Sequence, residues 1–398
     1  VKDSTNIIPP VDRNLAWFAK LVVALTLWLI FIGGHTTTTG AGMAFPDWPL
    51  SHGSLNPDGW WADAMMRLEH GHRIFGGVTA LLVGILCARV WRSMNSVPLA
   101  LLVGLGFAAI ASVILKQYVH PQAVRIWAGL IGIVSSAFAF RWLLRHDLAG
   151  QSAPRSKLVR EVAFAAFTGV CLQAALGGLR VVLDPGGVAA IDDRTATIFR
   201  VAHGCLAQIE LCLVVALAAL LSPKWQKLPR DLVPPRAIRI LAWLAVAALF
   251  GQLLAGAAMR HLGAGLAIPT FPEAQPNGSW MPTVHNLYVD LNFTHTRVGA
   301  LIVTVVIVAL AWRTLTGMSS ALYKKPAWAL LTLVFAQALL GMFVIWKNRP
   351  AIVTTLHVVN GAVLLATTIL LTVRLAKRAT VTASQARSTS SSLIETAG

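Results

Sequence analysis

The amino-acid sequence predicts an all-α, polytopic membrane protein: two duplicated four-helix bundles plus an inserted helix pair, about ten transmembrane helices in all. Three observations carry this expectation. Apolar runs of membrane-spanning length recur along the chain, alternate connections are basic, and the two halves share an ordered internal repeat.

The chain has 398 residues, of which 56% are hydrophobic and only 12% charged, with a mean hydropathy of +0.67. A water-soluble domain of this size needs more charge than that to cover its exterior. The apolar runs fall near 15–37, 71–92, 97–117, 122–145, 159–182, 197–221, 237–260, 294–315, 326–347 and 352–375. Each is about 20 residues long, enough to cross roughly 30 Å of hydrocarbon. The third run is interrupted by glycines and the fourth follows His120-Pro121, so this pair could be distorted or re-entrant.

The formal charge is +17, but the basic residues do not form the single patch that nucleic acid requires, and a nucleic-acid partner is excluded. They occupy short alternate loops, for example Arg141, Arg145, Arg155, Lys157 and Arg160, or Lys224, Lys227, Arg230, Arg236 and Arg239. The opposite loops hold Asp47, Asp58, Asp63, Glu69, Asp184, Asp192, Asp193, Glu273 and Asp290. The positive-inside rule then places both termini in the cytoplasm. The first run lacks a signal-peptide cleavage site and the N-terminus is unlike a transit peptide, so the expectation is a multi-pass protein of a bacterial inner membrane. Residues 379–398 are Ser/Thr/Ala-rich and are expected to be a disordered tail.

Gly40-Ala41-Gly42-Met43-Ala44-Phe45-Pro46-Asp47-Trp48-Pro49 matches Gly263-Ala264-Gly265-Leu266-Ala267-Ile268-Pro269-Thr270-Phe271-Pro272 at an offset of 223 residues, which also carries His72 onto His295. Gln173-Ala174-Ala175-Leu176-Gly177 resembles Gln337-Ala338-Leu339-Leu340-Gly341, and His203 pairs with His357 at an offset of 154. The shorter second offset implies extra residues in the first half, naturally the helices near 97–145. The chain thus divides into an N-terminal half (1–222) and a C-terminal half (223–378), a parallel duplication of one four-helix unit.

His72, His203, His295 and His357 lie at equivalent places, near the starts of helices that enter from the external side. Strongly polar side chains at such depth are functional candidates by default. Two neutral imidazoles facing each other across a bundle suit the axial positions of heme iron, and nearby Gly71, Gly76, Gly77, Gly204, Gly299 and Gly361 would let a flat macrocycle approach. A lone histidine could equally cap a helix. Four at repeat-equivalent positions argue against that reading. Zinc would need further converging ligands, and only Glu69 is at hand. Glu69 lies one helical turn before His72, whereas the equivalent residue is Asn292; one site is therefore expected to do chemistry and the other to pass electrons. The competing reading pairs Glu69 with Arg67 or Arg73.

Arg73, Arg180, Arg200, Arg260 and Arg297 could hold heme propionates or snorkel to headgroups. His70 points away from His72 around the helix. Cys87, Cys171, Cys205 and Cys212 all fall in apolar segments and read as small buried hydrophobes.

These features together resemble the heme A synthase family. The residues that carry the resemblance are the Gly40–Pro49 run, Glu69-His70-Gly71-His72-Arg73, Gln173 to Gly178 before His203, Arg260-His261-Leu262-Gly263 with Pro269 to Pro272, His295 with Arg297, and His357. The resemblance implies oxidation of the C8 methyl of heme O to a formyl group, giving heme A for cytochrome oxidase. It implies that His72 and His203 hold heme O as substrate, that His295 and His357 hold a heme b cofactor, and that Glu69 is catalytic. The partners it implies are heme O, the lipid bilayer, a heme O synthase and an electron donor or acceptor that the sequence does not identify, with a homo-oligomer also open. Many relatives carry a cysteine pair in the first external loop; this chain has none there. Two other readings fit the same histidines: a bis-heme b-type electron carrier, and a heme-delivery protein without oxidation.

Overall fold

A computed structural model describes residues 13–92, 154–226 and 234–376. Its described part is all-helical, and eight helices are long and apolar enough to cross a membrane. They are α1 (Arg13–Thr38), α2 (Ala64–Arg92), α3 (Pro154–Val182), α4 (Asp193–Leu221), α5 (Arg236–His261), α6 (Leu287–Gly317), α7 (Ala321–Trp346) and α8 (Ala351–Leu375). The expected extra pair near 97–145 and the tail 379–398 lie outside the described residues. The protein is a multi-pass membrane protein.

Several helices start earlier than their apolar runs because side-chain caps extend them into polar sequence. Asp63 Oδ1 accepts from Met66 N at the start of α2. Asn286 accepts from Tyr288 and Val289 at the start of α6, and Ser320 accepts from Leu322 at the start of α7. His72 and His295 consequently sit in the third turn of their helices rather than the first two.

Helices α1, α2, α3 and α4 close into one ring of neighbours, and α5, α6, α7 and α8 into another. The rings meet where α1 packs on α8, and α4 on both α5 and α8. In lipid, apolar burial drives helix association only weakly, so close backbone approach matters more. Pairs of small residues one turn apart supply it: Ala16 with Ala19, Ala163 with Ala166, and Ala242 with Ala245 are all essentially inaccessible. Large apolar side chains such as Leu81, Leu301, Trp312 and Phe335 face outward, where acyl chains solvate them.

The duplication is visible in local detail at one end of the rings. Gly40 and Gly263, both with positive φ (76° and 75°), stop α1 and the repeat-equivalent α5. Each is followed by a short 3₁₀ turn and then by a cis X-Pro bond, Trp48-Pro49 and Phe271-Pro272. In α1 the hydroxyls of Thr36, Thr37 and Thr38 each donate to the carbonyl four residues back. Cys87 and Cys205 are buried, but Cys171 is exposed, contrary to the sequence expectation.

Candidate heme-binding site

Each of the four histidines rests its ring against a glycine on a neighbouring helix. A Cβ built on Gly33 would fall 2.7 Å from His72 Cε1, and one on Gly177 2.8 Å from His203 Cε1. The corresponding distances are 2.5 Å from Gly256 to His295 and 3.2 Å from Gly341 to His357. Any larger residue would push the imidazole off its seat. Gly33 and Gly256 are related by the same 223-residue offset as the histidines they support, and Gly177 and Gly341 by the offset of the Gln-to-Gly motif. The glycines that set the rings are thus on the facing helices. At Gly71, Gly76, Gly77 and Gly204, which share helices with His72 and His203, a Cβ would meet no atom within 4 Å.

Glutamines fix the ring orientations. Gln173 Nε2 donates to the His203 carbonyl (3.1 Å) and lies 3.4 Å from its Nε2. Gln337 Nε2 is 3.3 Å from His357 Nε2. Gln252 Nε2 donates to the His295 carbonyl (2.7 Å), and His295 Nδ1 is 3.1 Å from the carbonyl of Gln252. That contact makes Nδ1 the protonated nitrogen and leaves Nε2 as the donor for a metal. The segment around His295, Thr294–Gly299, is a π-turn, a feature often found where a helix carries function.

His295 and His357 face each other with ring centroids 6.4 Å apart and planes at 79°. Two imidazoles bonded to one metal at about 2 Å each have centroids roughly 6 Å apart, so this pair fits a bis-axial iron. His72 and His203 rest on Gly33 of α1 and Gly177 of α3, within the other ring. The Nδ1 atoms of His72, His203 and His357 are buried without a partner among the described residues. Buried ring nitrogens are seldom left so, and a donor set of neutral imidazoles suits heme iron.

Glu69 is 3% exposed. Its Oε1 accepts from Arg73 Nη2 at 2.7 Å and its Oε2 from the Phe45 backbone at 3.0 Å. The carboxylate therefore ties α2 to the loop after α1. Asn292, fully buried, holds the equivalent loop by donating to the Ala264 carbonyl.

The five arginines separate by partner. Arg73 donates to the carbonyls of Phe45, Asp47 and Leu50. Arg297 donates to those of Thr270 and Glu273, the repeat equivalents of Asp47 and Leu50. Arg200 pairs with Asp184 and Asp193. Arg180 donates to the Gly42 carbonyl, and Arg260 to the Gly34 carbonyl and the Thr38 hydroxyl of the other ring. Neither of these two forms an ion pair among the described residues, so both keep charge for an anion. His70 is turned away from the site: its Nδ1 lies 3.0 Å from Ser51 Oγ and its ring packs on Phe45 and Trp60.

Residues 112–369 match the family model described as cytochrome oxidase assembly protein, COX15-CtaA. That stretch contains His203, His295 and His357. The chain is 26% identical over 370 residues to a heme A synthase of Beijerinckia indica, covering 87% of this chain and 88% of that one. It is 24% identical over 391 residues to a heme A synthase of Bradyrhizobium sp., covering 93% and 94%. A shorter match, 38% over 96 residues, joins it to a heme A synthase of Geobacillus thermodenitrificans across 23% of this chain and 30% of that protein. With nearly two thirds of its length matched by the family model, the chain belongs to the COX15-CtaA family of cytochrome oxidase assembly proteins.

Proposed function

We propose that the chain is a heme A synthase, which oxidises the C8 methyl of heme O to a formyl group and so supplies heme A to cytochrome oxidase. The observation that carries this reading is the set of four imidazoles, each seated on a glycine, with His295 and His357 facing each other at 6.4 Å. Family membership and the near full-length similarity to heme A synthases support it.

In this reading His72 and His203, in the half spanning 1–222, hold heme O. His295 and His357, in the half spanning 223–378, hold heme b. A b-type heme supplies one-electron transfer when bound. The chain's own groups do the rest. The glycine seats and glutamine contacts hold the imidazoles in one orientation, while Arg180 and Arg260 offer charge to propionates. Glu69 lies on the same face of α2 as His72 and serves as the catalytic carboxylate, taking up a proton near the substrate. Arg73 holds it in place through their ion pair. Asn292 in the other half cannot accept a proton, which matches an electron-transfer role there.

The capped end of the bundles faces the outside of a bacterial inner membrane, with both termini cytoplasmic, as the loop charges favour. A heme O synthase is the natural donor of substrate. The test is to express the full chain in cells supplied with heme O and to identify the extracted hemes by chromatography and mass. Heme A is the expected product. Recovery of only unmodified hemes would overturn the assignment.

A further inference from the structure

One carboxylate in the membrane interior has no part in the site described above. Glu210 of α4 is 3% exposed, and neither carboxylate oxygen has a hydrogen-bond partner among the described residues. It follows His203 by seven residues, which returns it to the same face of α4 about 10 Å further along the axis. Helical side chains lean toward the N-terminus of their helix, and in α4 that direction leads back to His203. The chain makes room for this acid: a Cβ on Gly169 of α3 would fall 2.4 Å from Glu210 Oε2.

The duplication shows that this arrangement is not required by the fold. At the repeat-equivalent positions Glu210 becomes Leu364 and Gly169 becomes Leu333, and both leucines join the apolar core. A second ring of the same design thus packs well without the acid. Burying an unpaired carboxyl group is costly, so its presence in one ring alone calls for a ligand that only this ring takes.

We propose that Glu210 is a specificity-determining residue that hydrogen-bonds the hydroxyl of the isoprenoid-bearing substituent of heme O, the group that heme b lacks. The inference rests on the assignment of heme O to His72 and His203. A porphyrin bound with its propionates toward Arg180 and Arg260 would turn its opposite edge, which carries the hydroxyalkyl substituent, inward along α4 toward Glu210. A protonated carboxyl group can both donate to and accept from an alcohol, and a buried site built for an alcohol disfavours an analogue that lacks it. Leu364, at the equivalent place in the other ring, can make no such hydrogen bond.

The experiment titrates detergent-solubilised full-length protein with heme O and, separately, heme b, read by Soret absorbance. It is done in the His357→Ala background so that one heme site remains. Wild-type Glu210 is expected to favour heme O over heme b by roughly tenfold. Glu210→Leu should lose that preference while still binding heme b, and Glu210→Gln should retain most of it. Preference unchanged in Glu210→Leu overturns the proposal, as does an equal loss of both hemes in Glu210→Gln. If heme O fails to bind at all with Glu210 intact, the assignment of His72 and His203 fails first, and the proposal with it.

Discussion

Gly256 lies so close beneath His295 that a Cβ added to it would sit 2.5 Å from the ring's Cε1, a separation that real Cβ contacts do not reach. The backbone of α5 therefore fixes the imaginary line along which His295 can point. Replacing that hydrogen by a methyl must move either the ring or the helix. Gly256→Ala is expected to abolish heme binding by the C-terminal ring while leaving the helical content intact. Gly341→Ala, with 3.2 Å to His357, should weaken binding less. Heme content of the purified variants, read by pyridine hemochrome absorbance, checks the order. Equal retention by both would show that the rings do not need their seats.

Glu69→Gln separates chemistry from architecture. The amide keeps the shape and can still accept from the Phe45 backbone, but it loses the ion pair with Arg73 and cannot take a proton. If Glu69 acts on the substrate, heme A production should fall by at least about 100-fold with both hemes still bound. A carboxylate that serves only to tie the loop to α2 would instead give a modest loss of thermal stability and nearly normal turnover. Measuring product and heme content on the same preparation distinguishes the two.

Much of this arrangement is legible in the sequence. The hydropathy runs give the described helices, and the 223-residue offset pairs His72 with His295 before any coordinates are known. The polar starts of α2 and α6 are missed by hydropathy, since Asp63 and Asn286 lengthen those helices through capping. The glycine seats are missed for a different reason. Gly33 and Gly177 lie far in sequence from the rings they carry, and only the packing of α1 on α2 and of α3 on α4 reveals the pairing. The repeat held the signal, because Gly33 and Gly256 share the offset of the histidines. The fate of Arg73 and Arg297 was likewise open between propionates and headgroups, and the structure shows both spent on loop carbonyls.

Arg297 shows how the second ring keeps a contact despite a shift in register. Strict repetition of Arg73 would place the arginine at Thr296. It is found one residue later, and the π-turn over Thr294–Gly299 changes the angular step of the helix there. The guanidinium still reaches the carbonyls of Thr270 and Glu273, at 2.7 and 2.9 Å, and lies over the Phe271 ring with 5.4 Å to its centroid. Arg297→Leu leaves both carbonyls to find other donors. The stretch from Thr270 to Ser279 should then exchange its amide hydrogens faster, by at least tenfold, while the exchange of α7 and α8 is unchanged. Arg297→Lys, a point charge without the planar fork, should restore only part of the protection.

Arg260 joins the two rings, and its removal tests whether they act as a unit. From the end of α5 it donates to the Gly34 carbonyl and the Thr38 hydroxyl of α1, while His35 of the same segment lies 3.3 Å from Thr355 Oγ1 on α8. Gly33, the seat of His72, immediately precedes Gly34, and Thr355 is two residues from His357. The contact region therefore lies between one histidine of each couple. Arg260→Met keeps most of the apolar stem of the side chain but removes both hydrogen bonds across the interface. The expected result is two rings that still bind heme, more weakly where Arg260 serves a propionate, with electron passage between the hemes slowed severalfold. Flash or stopped-flow reduction followed at two wavelengths measures it, and a rate equal to that of the unaltered protein would show that the rings are coupled by some other contact.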